Sequence, residues 1–152
     1  MAEQPFLFGG PWIQVRDGNA TGMAIFLRHY TARERRKIFQ FVGPGEKMVL
    51  LTPDARALFV WRKFISRRKG ETGVNCAVFR NEGSTAGRSS ELIEAAKQLA
   101  WNRWPGERLY TYVDARKIRP KRDPGRCFLR AGFKLCGTTA SGKLILECTI
   151  GP

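Results

Sequence analysis

The chain has 152 residues, 43% hydrophobic and 26% charged, which is the size and profile of one soluble globular domain and too little for two ordinary ones. Its 27 Lys and Arg against 13 Asp and Glu give a net charge of +14, so partners are expected among polyanions, with nucleic acid first. No apolar run approaches the ~18 residues of a membrane span, and the opening MAEQPFLFGGPW lacks the regions of a signal peptide. A cytoplasmic protein without membrane attachment is the expectation.

In chain order, Met23, Phe26, Leu27 and Tyr30 recur at helical spacing and predict a helix over Gly22 to Tyr30. That helix carries His29, the only histidine, near its C-terminal end. The runs EKMVLLT and ALFVWRKF flank Pro53-Asp54-Ala55-Arg56 and read as an antiparallel hairpin. From Val74, VNCAVFRN is apolar on both alternations, the pattern of a central strand covered on both faces.

EGSTAGRSS follows as an irregular turn, and then a helix from about Ser90 to Arg103. Leu92, Ala95, Ala96, Leu99 and Trp104 form its apolar stripe, Glu91 and Glu94 favour its N-terminus, and Pro105-Gly106 stops it. LYTYV is a short strand. Pro124 to Lys134 is a short helix ended by Gly132, with Phe133 starting the next strand. KLILECTI closes the chain with Leu144, Leu146, Cys148 and Ile150 facing inward. The order helix, hairpin, strand, helix, strand, helix, strand predicts one α/β (α+β) domain over residues 1–152, with a mixed central sheet flanked by helices. Cysteines at 76, 127, 136 and 148 form no C-x-x-C pair and there is no second histidine, which argues against a zinc knuckle, while the expected lack of secretion argues against disulfides and for free thiols.

Two stretches invite chemistry. The turn RNEGSTAGRSS leads into a helix N-terminus, where unpaired backbone N–H groups and the helix dipole bind anions. Gly83, Ser84, Gly87, Arg88, Ser89 and Ser90 are the candidate binding residues, and Arg80 and Arg88 add charge. The same letters also fit an ordinary loop with Ser89 or Ser90 as N-cap. Basic clusters recur at predicted element ends: Arg33, Arg35, Arg36 and Lys37; Arg62, Lys63, Arg67, Arg68 and Lys69; and Arg116, Lys117, Arg119, Lys121, Arg122 and Arg126. Long side chains placed there reach a phosphate backbone. The amide of Asn81 suits the edge of adenine, and serves a turn equally well.

Val74 to Gly137 holds a strand, glycine-bearing turn, helix, strand and short helix ending in Gly-Phe. This order resembles the core of the GCN5-related N-acetyltransferase (GNAT) superfamily. The resemblance implies a GNAT-like fold in which the turn binds the pyrophosphate of an acyl-CoA and the acceptor lies where two central strands splay apart. The superfamily pattern is Gln/Arg-x-x-Gly-x-Gly/Ala; Arg80 and Gly83 fit it. Thr85 stands at the sixth position, with Ala86-Gly87 just after, a displacement that predicts weak or absent acetyl-CoA binding.

Within that superfamily, His29-Tyr30, Phe79-Arg80-Asn81, the turn to Ser89-Ser90, and Tyr110-Thr111-Tyr112-Val113-Asp114 resemble the Mom family of phage DNA-modifying proteins. The resemblance implies transfer of a carbamoylmethyl or acyl-like group to N6 of adenine in double-stranded DNA, shielding phage DNA from restriction. The group donor is open: acyl-CoA, or another acyl or glycyl carrier. His29 suits proton abstraction from N6, with Asp114 as competing base or orienting group. Arg80 suits charge stabilisation, and Tyr30 and Tyr112 suit proton donation or stacking. Asn81 completes the candidate set. The family's association with iron makes His29, Tyr30 and Asp114 acceptable ligands, but a single histidine leaves metal binding open. The alternatives are a conventional acetyl-CoA-dependent N-acetyltransferase acting on a small molecule, protein or RNA, and a non-enzymatic DNA-binding module.

Overall fold

The computed structural model describes residues 3–5, 10–16, 19–27, 45–63, 72–115 and 125–150. Among these, eight strands build one mixed sheet: β1 (Glu3–Pro5), β2 (Ile13–Val15), β3 (Glu46–Leu51), β4 (Ala57–Lys63), β5 (Val74–Asn81), β6 (Leu109–Val113), β7 (Lys134–Thr138) and β8 (Leu144–Cys148). Their order is β1-β2-β3-β4-β5-β6-β8-β7. Only β5 and β6 pair parallel; every other neighbouring pair is antiparallel. Helices α1 (Ala20–Leu27), α2 (Ser89–Arg103) and α3 (Arg126–Arg130) complete the α/β arrangement.

Both faces of the sheet carry apolar core. One cluster joins Phe59, Trp61, Val74 and Cys76 of the sheet to Leu92, Ile93, Ala96 and Ala100 of α2 and Phe128 of α3. The other joins Val49, Leu51, Leu58, Val60 and Val78 to Ile25 of α1. Strands β4 and β5 therefore have core on each side, which is why their sequences lack a polar alternation. The hairpin β3–β4 and the double-sided central strand occur where the sequence predicts them.

Local chemistry sets the helix ends. Asn19 accepts the Gly22 N–H at 3.0 Å and starts α1 before the predicted Gly22. Ile25, 1% exposed, is the anchor of α1, a residue absent from the predicted stripe. On α2 the buried set is Leu92, Ile93, Lys97, Ala96 and Ala100, so the stripe is rotated from the predicted one, with Ala95 and Leu99 at its border. Trp12 and Trp61 donate indole N–H bonds to the carbonyls of Leu92 and Ala96, each at 2.9 Å, and pin α2 onto the sheet. Lys97 is buried beneath α3, where its ammonium donates to the Ala131 carbonyl at 2.7 Å and to Glu94 at 3.1 Å.

The strands depart from expectation in three places. β1 and β2 are three residues each, too short for an alternation to register. The stretch after Phe133 divides into β7 and β8 around a turn closed by Thr139 N–H to the Lys143 carbonyl, 2.8 Å. Leu146 and Cys148 face inward as expected, but Ile150 lies beyond β8 and is 54% exposed. The four cysteines are free thiols. No described helix is long and apolar enough to cross a membrane.

Candidate functional site

The parallel pair is short. Val74, Asn75 and Cys76 pair with Leu109, Tyr110 and Thr111, and there the register stops. The Thr111 hydroxyl closes the last rung by donating to the Cys76 carbonyl at 3.3 Å. Beyond it, β5 stays with β4 and β6 stays with β8. A register shift moves the pairing from Trp61–Cys76 to Val60–Val78, leaving Ala77 as the extra residue of a bulge. A bulge bends its strand and raises its twist, which turns β5 away from β6. The two strands thus fork, and the fork is the candidate site.

Each arm carries predicted residues. On β6, Tyr112 packs edge-on against Tyr110, with ring centroids 5.6 Å apart, and Asp114, 5% exposed, follows the strand end. On β5, Phe79 meets Phe128 of α3 edge-on at 5.9 Å and fills the α3 side of the fork. Arg80, next to last on this arm, has its guanidinium paired to Glu82 at 2.8 Å. Burial pushes the Cys76 thiol, at the base of the fork, well above its ordinary range.

The turn from β5 into α2 is held from inside. Asn81 Oδ1 accepts the N–H groups of Gly83 at 3.0 Å and Ser84 at 2.9 Å, while its Nδ2 donates to the Ser89 hydroxyl at 3.1 Å. Its amide thus serves the turn, one of the two roles open to it from sequence. The Ala86 N–H donates to the Ser84 hydroxyl oxygen at 3.1 Å, and the Arg88 N–H to Glu91 at 2.9 Å. Arg88, rather than Ser89 or Ser90, occupies the N-cap.

The remaining acceptor comes from the β3–β4 hairpin tip, a residue that no local pattern assigns to this turn. Asp54 accepts from the Thr85 N–H at 2.8 Å and from the Ser84 hydroxyl at 2.9 Å. On its own side it accepts from the Thr52 hydroxyl at 2.8 Å and the Arg56 N–H at 3.2 Å. Desolvation opposes its ionisation, but the bonds from Thr85, Thr52, Ser84 and Arg56 outweigh that and hold the carboxyl well below its usual range. Of the backbone N–H groups from Gly83 to Arg88, those of Gly83, Ser84, Thr85, Ala86 and Arg88 all meet acceptors from the chain itself.

His29 and Tyr30 lie outside the described residues, as do Arg35, Arg36, Lys37, Arg67, Arg68, Lys69, Arg119, Lys121 and Arg122. Of the predicted DNA-contacting set, Arg126 is described, exposed at the first turn of α3. Of the iron ligands implied by the resemblance, only Asp114 has a described position, and among the described residues no three His, Cys, Asp or Glu side chains group as a metal site. No protein-family model and no curated protein matches this chain.

Proposed function

We propose that the chain is a DNA-modifying transferase of the Mom type, acting at N6 of adenine in duplex DNA on a GNAT-like scaffold in the host cytoplasm. The observation that carries the reading is the fork between β5 and β6, the one parallel pair of the described sheet, opened by a bulge at Ala77 and followed by a turn into α2. Splayed central strands are where the resemblance to that superfamily puts the acceptor. The net charge of +14 supports a polyanionic partner, and Tyr112 on the β6 arm with Asp114 just past its end supports chemistry at the fork.

The chemistry asked of the site is definite. The adenine must leave the base stack, at a cost of a few kcal/mol, repaid by phosphate contacts and a pocket for the flipped base. The N6 lone pair is delocalised into the ring, so a base must take a proton from N6 as the new bond forms. His29 is assigned that role. Asp114 orients the imidazole or takes the proton itself, and Tyr30 and Tyr112 stack on the base or donate a proton. Arg80 is held by Glu82, so any role in stabilising charge is exercised through the rest of its guanidinium.

Two observations weigh on the rival readings. A conventional acetyl-CoA enzyme needs open N–H groups in the turn, and five of them already have acceptors within the chain. A purely DNA-binding module has no need of a forked parallel pair. The test is to express the chain with a plasmid, digest the DNA and weigh the nucleosides. A deoxyadenosine of increased mass supports the proposal; unmodified deoxyadenosine in cells that supply the group donor overturns it.

A further inference from the structure

We infer that Asp54 selects against group donors carrying a diphosphate, so the transferred group reaches the fork on a carrier with no diphosphate seated at the turn. The inference rests on the transferase reading above and names its donor class. A turn that cradles a diphosphate points unpaired N–H groups at the phosphate oxygens. Here two of those N–H groups face carboxylates of the chain, Thr85 meeting Asp54 and Arg88 meeting Glu91, and Asp54 also takes the Ser84 hydroxyl. A carboxylate supplies what one phosphate arm would supply, two acceptor oxygens and a negative charge.

Asp54 is also fixed rather than casually placed. Thr52 and Arg56 hold its Oδ1 from the hairpin side, Thr85 holds its Oδ2 from the turn, and the Ser84 hydroxyl lies within hydrogen-bond distance of both. A backbone bond from the Glu82 N–H to the Arg56 carbonyl, 2.7 Å, joins the same two segments a second time. Ala55 takes a left-handed conformation, φ 58°, at the next position, a conformation alanine adopts only under constraint. An arriving diphosphate must therefore break several bonds and lie against a fixed like charge.

The experiment titrates inorganic pyrophosphate and coenzyme A, by calorimetry at one ionic strength, into the full wild-type chain and into Asp54→Ala. Asp54→Ser is a second variant that keeps a short acceptor for the hairpin but does not reach the turn. Glu107→Gln, which removes one negative charge beside Lys63 just as the Asp54 variants remove one at the turn, controls for general attraction of anions. The expected result is a gain of about tenfold or more in pyrophosphate affinity for either folded Asp54 variant, from the freed N–H and hydroxyl groups, with Glu107→Gln unchanged. Folded Asp54 variants that gain no more than Glu107→Gln overturn the inference. The wild-type arm stands whatever the variants do: weak binding of coenzyme A supports the inference, and binding tighter than ~10 µM overturns it. The nucleoside mass experiment reads the transferase proposal alone, so the two claims fail independently.

Discussion

The carboxylate of Asp54 lies 2.8 Å from the backbone N–H of Thr85, joining a hairpin tip to a turn thirty-one residues away in the chain. This bond makes stability depend on acid. Desolvation works against the charged form, yet the hydrogen bonds from Thr85, Thr52, Ser84 and Arg56 prevail, and the folded-state carboxyl titrates well below the ordinary value of 3.8. A depressed carboxyl contributes stability that is complete above its unfolded value and is lost as pH falls from there toward the folded value. Urea unfolding between pH 6 and pH 2 should show wild type losing stability below about pH 4, and Asp54→Asn losing less over the same interval. At neutral pH, Asp54→Ala should cost ~1–3 kcal/mol. Parallel acid limbs in wild type and Asp54→Asn would contradict this account.

Ala55 follows with φ 58°, where its Cβ crowds its own backbone. Glycine has no such penalty, though it adds freedom to the unfolded chain that offsets part of the gain. Ala55→Gly should raise stability by up to ~1 kcal/mol, read as a higher urea midpoint with an unchanged slope. A lower midpoint would mean that the alanine methyl packs well enough to outweigh its backbone strain.

Lys97 is 6% exposed and donates to the Ala131 carbonyl at the end of α3. Its ammonium also lies 5.5 Å from the centroid of the Trp101 ring. Lys97→Met keeps the aliphatic stem but leaves that carbonyl without its donor, so it should cost ~1–3 kcal/mol. Hydrogen exchange should localise the loss to residues 126–133. A uniform loss across the sheet would indicate instead that the charge itself matters more than the cap.

The legible parts of this chain are those with a strong local pattern. The unbroken apolar runs of β4 and β5, the Pro-Asp turn between β3 and β4, and the stop at Pro105-Gly106 all announce themselves within a few residues. Strands β1 and β2 do not, because a three-residue strand derives its structure from its partner rather than from its letters. On α2, Ile93 and Lys97 escape the predicted stripe because a helix sandwiched between sheet and α3 buries more than one narrow face. The fork shows in the sequence only as two adjacent strands, since the bulge at Ala77 carries no Gly or Pro signal. Asp54 is the sharpest case. Thr-Pro-Asp-Ala-Arg reads as a turn and nothing more, and only the folded sheet reveals that its carboxylate reaches Ser84 and Thr85.

The proposed activity separates residues that make the product from residues that hold the DNA. Tyr112 stands on the β6 arm of the fork and Asp114 just past it, whereas Arg119, Lys121 and Arg122 belong to a cationic run in the sequence. His29→Ala and Asp114→Asn should each lower the yield of modified deoxyadenosine at least ~100-fold, the usual scale for losing a general base or its orienting partner. DNA affinity in both should stay within about threefold of wild type, because neither change removes a cation that meets a phosphate. Replacing Arg119, Lys121 and Arg122 together by Ser should do the reverse. It should weaken duplex binding and flatten its log–log dependence on salt by about 0.9 for each phosphate no longer neutralised. Tyr112→Phe divides the two tyrosine roles: a stacking side chain tolerates it, while a proton donor does not. If His29→Ala and Asp114→Asn leave the nucleoside yield intact, the base-catalysis scheme fails. An unchanged salt slope in the triple variant would move the DNA interface elsewhere on the surface.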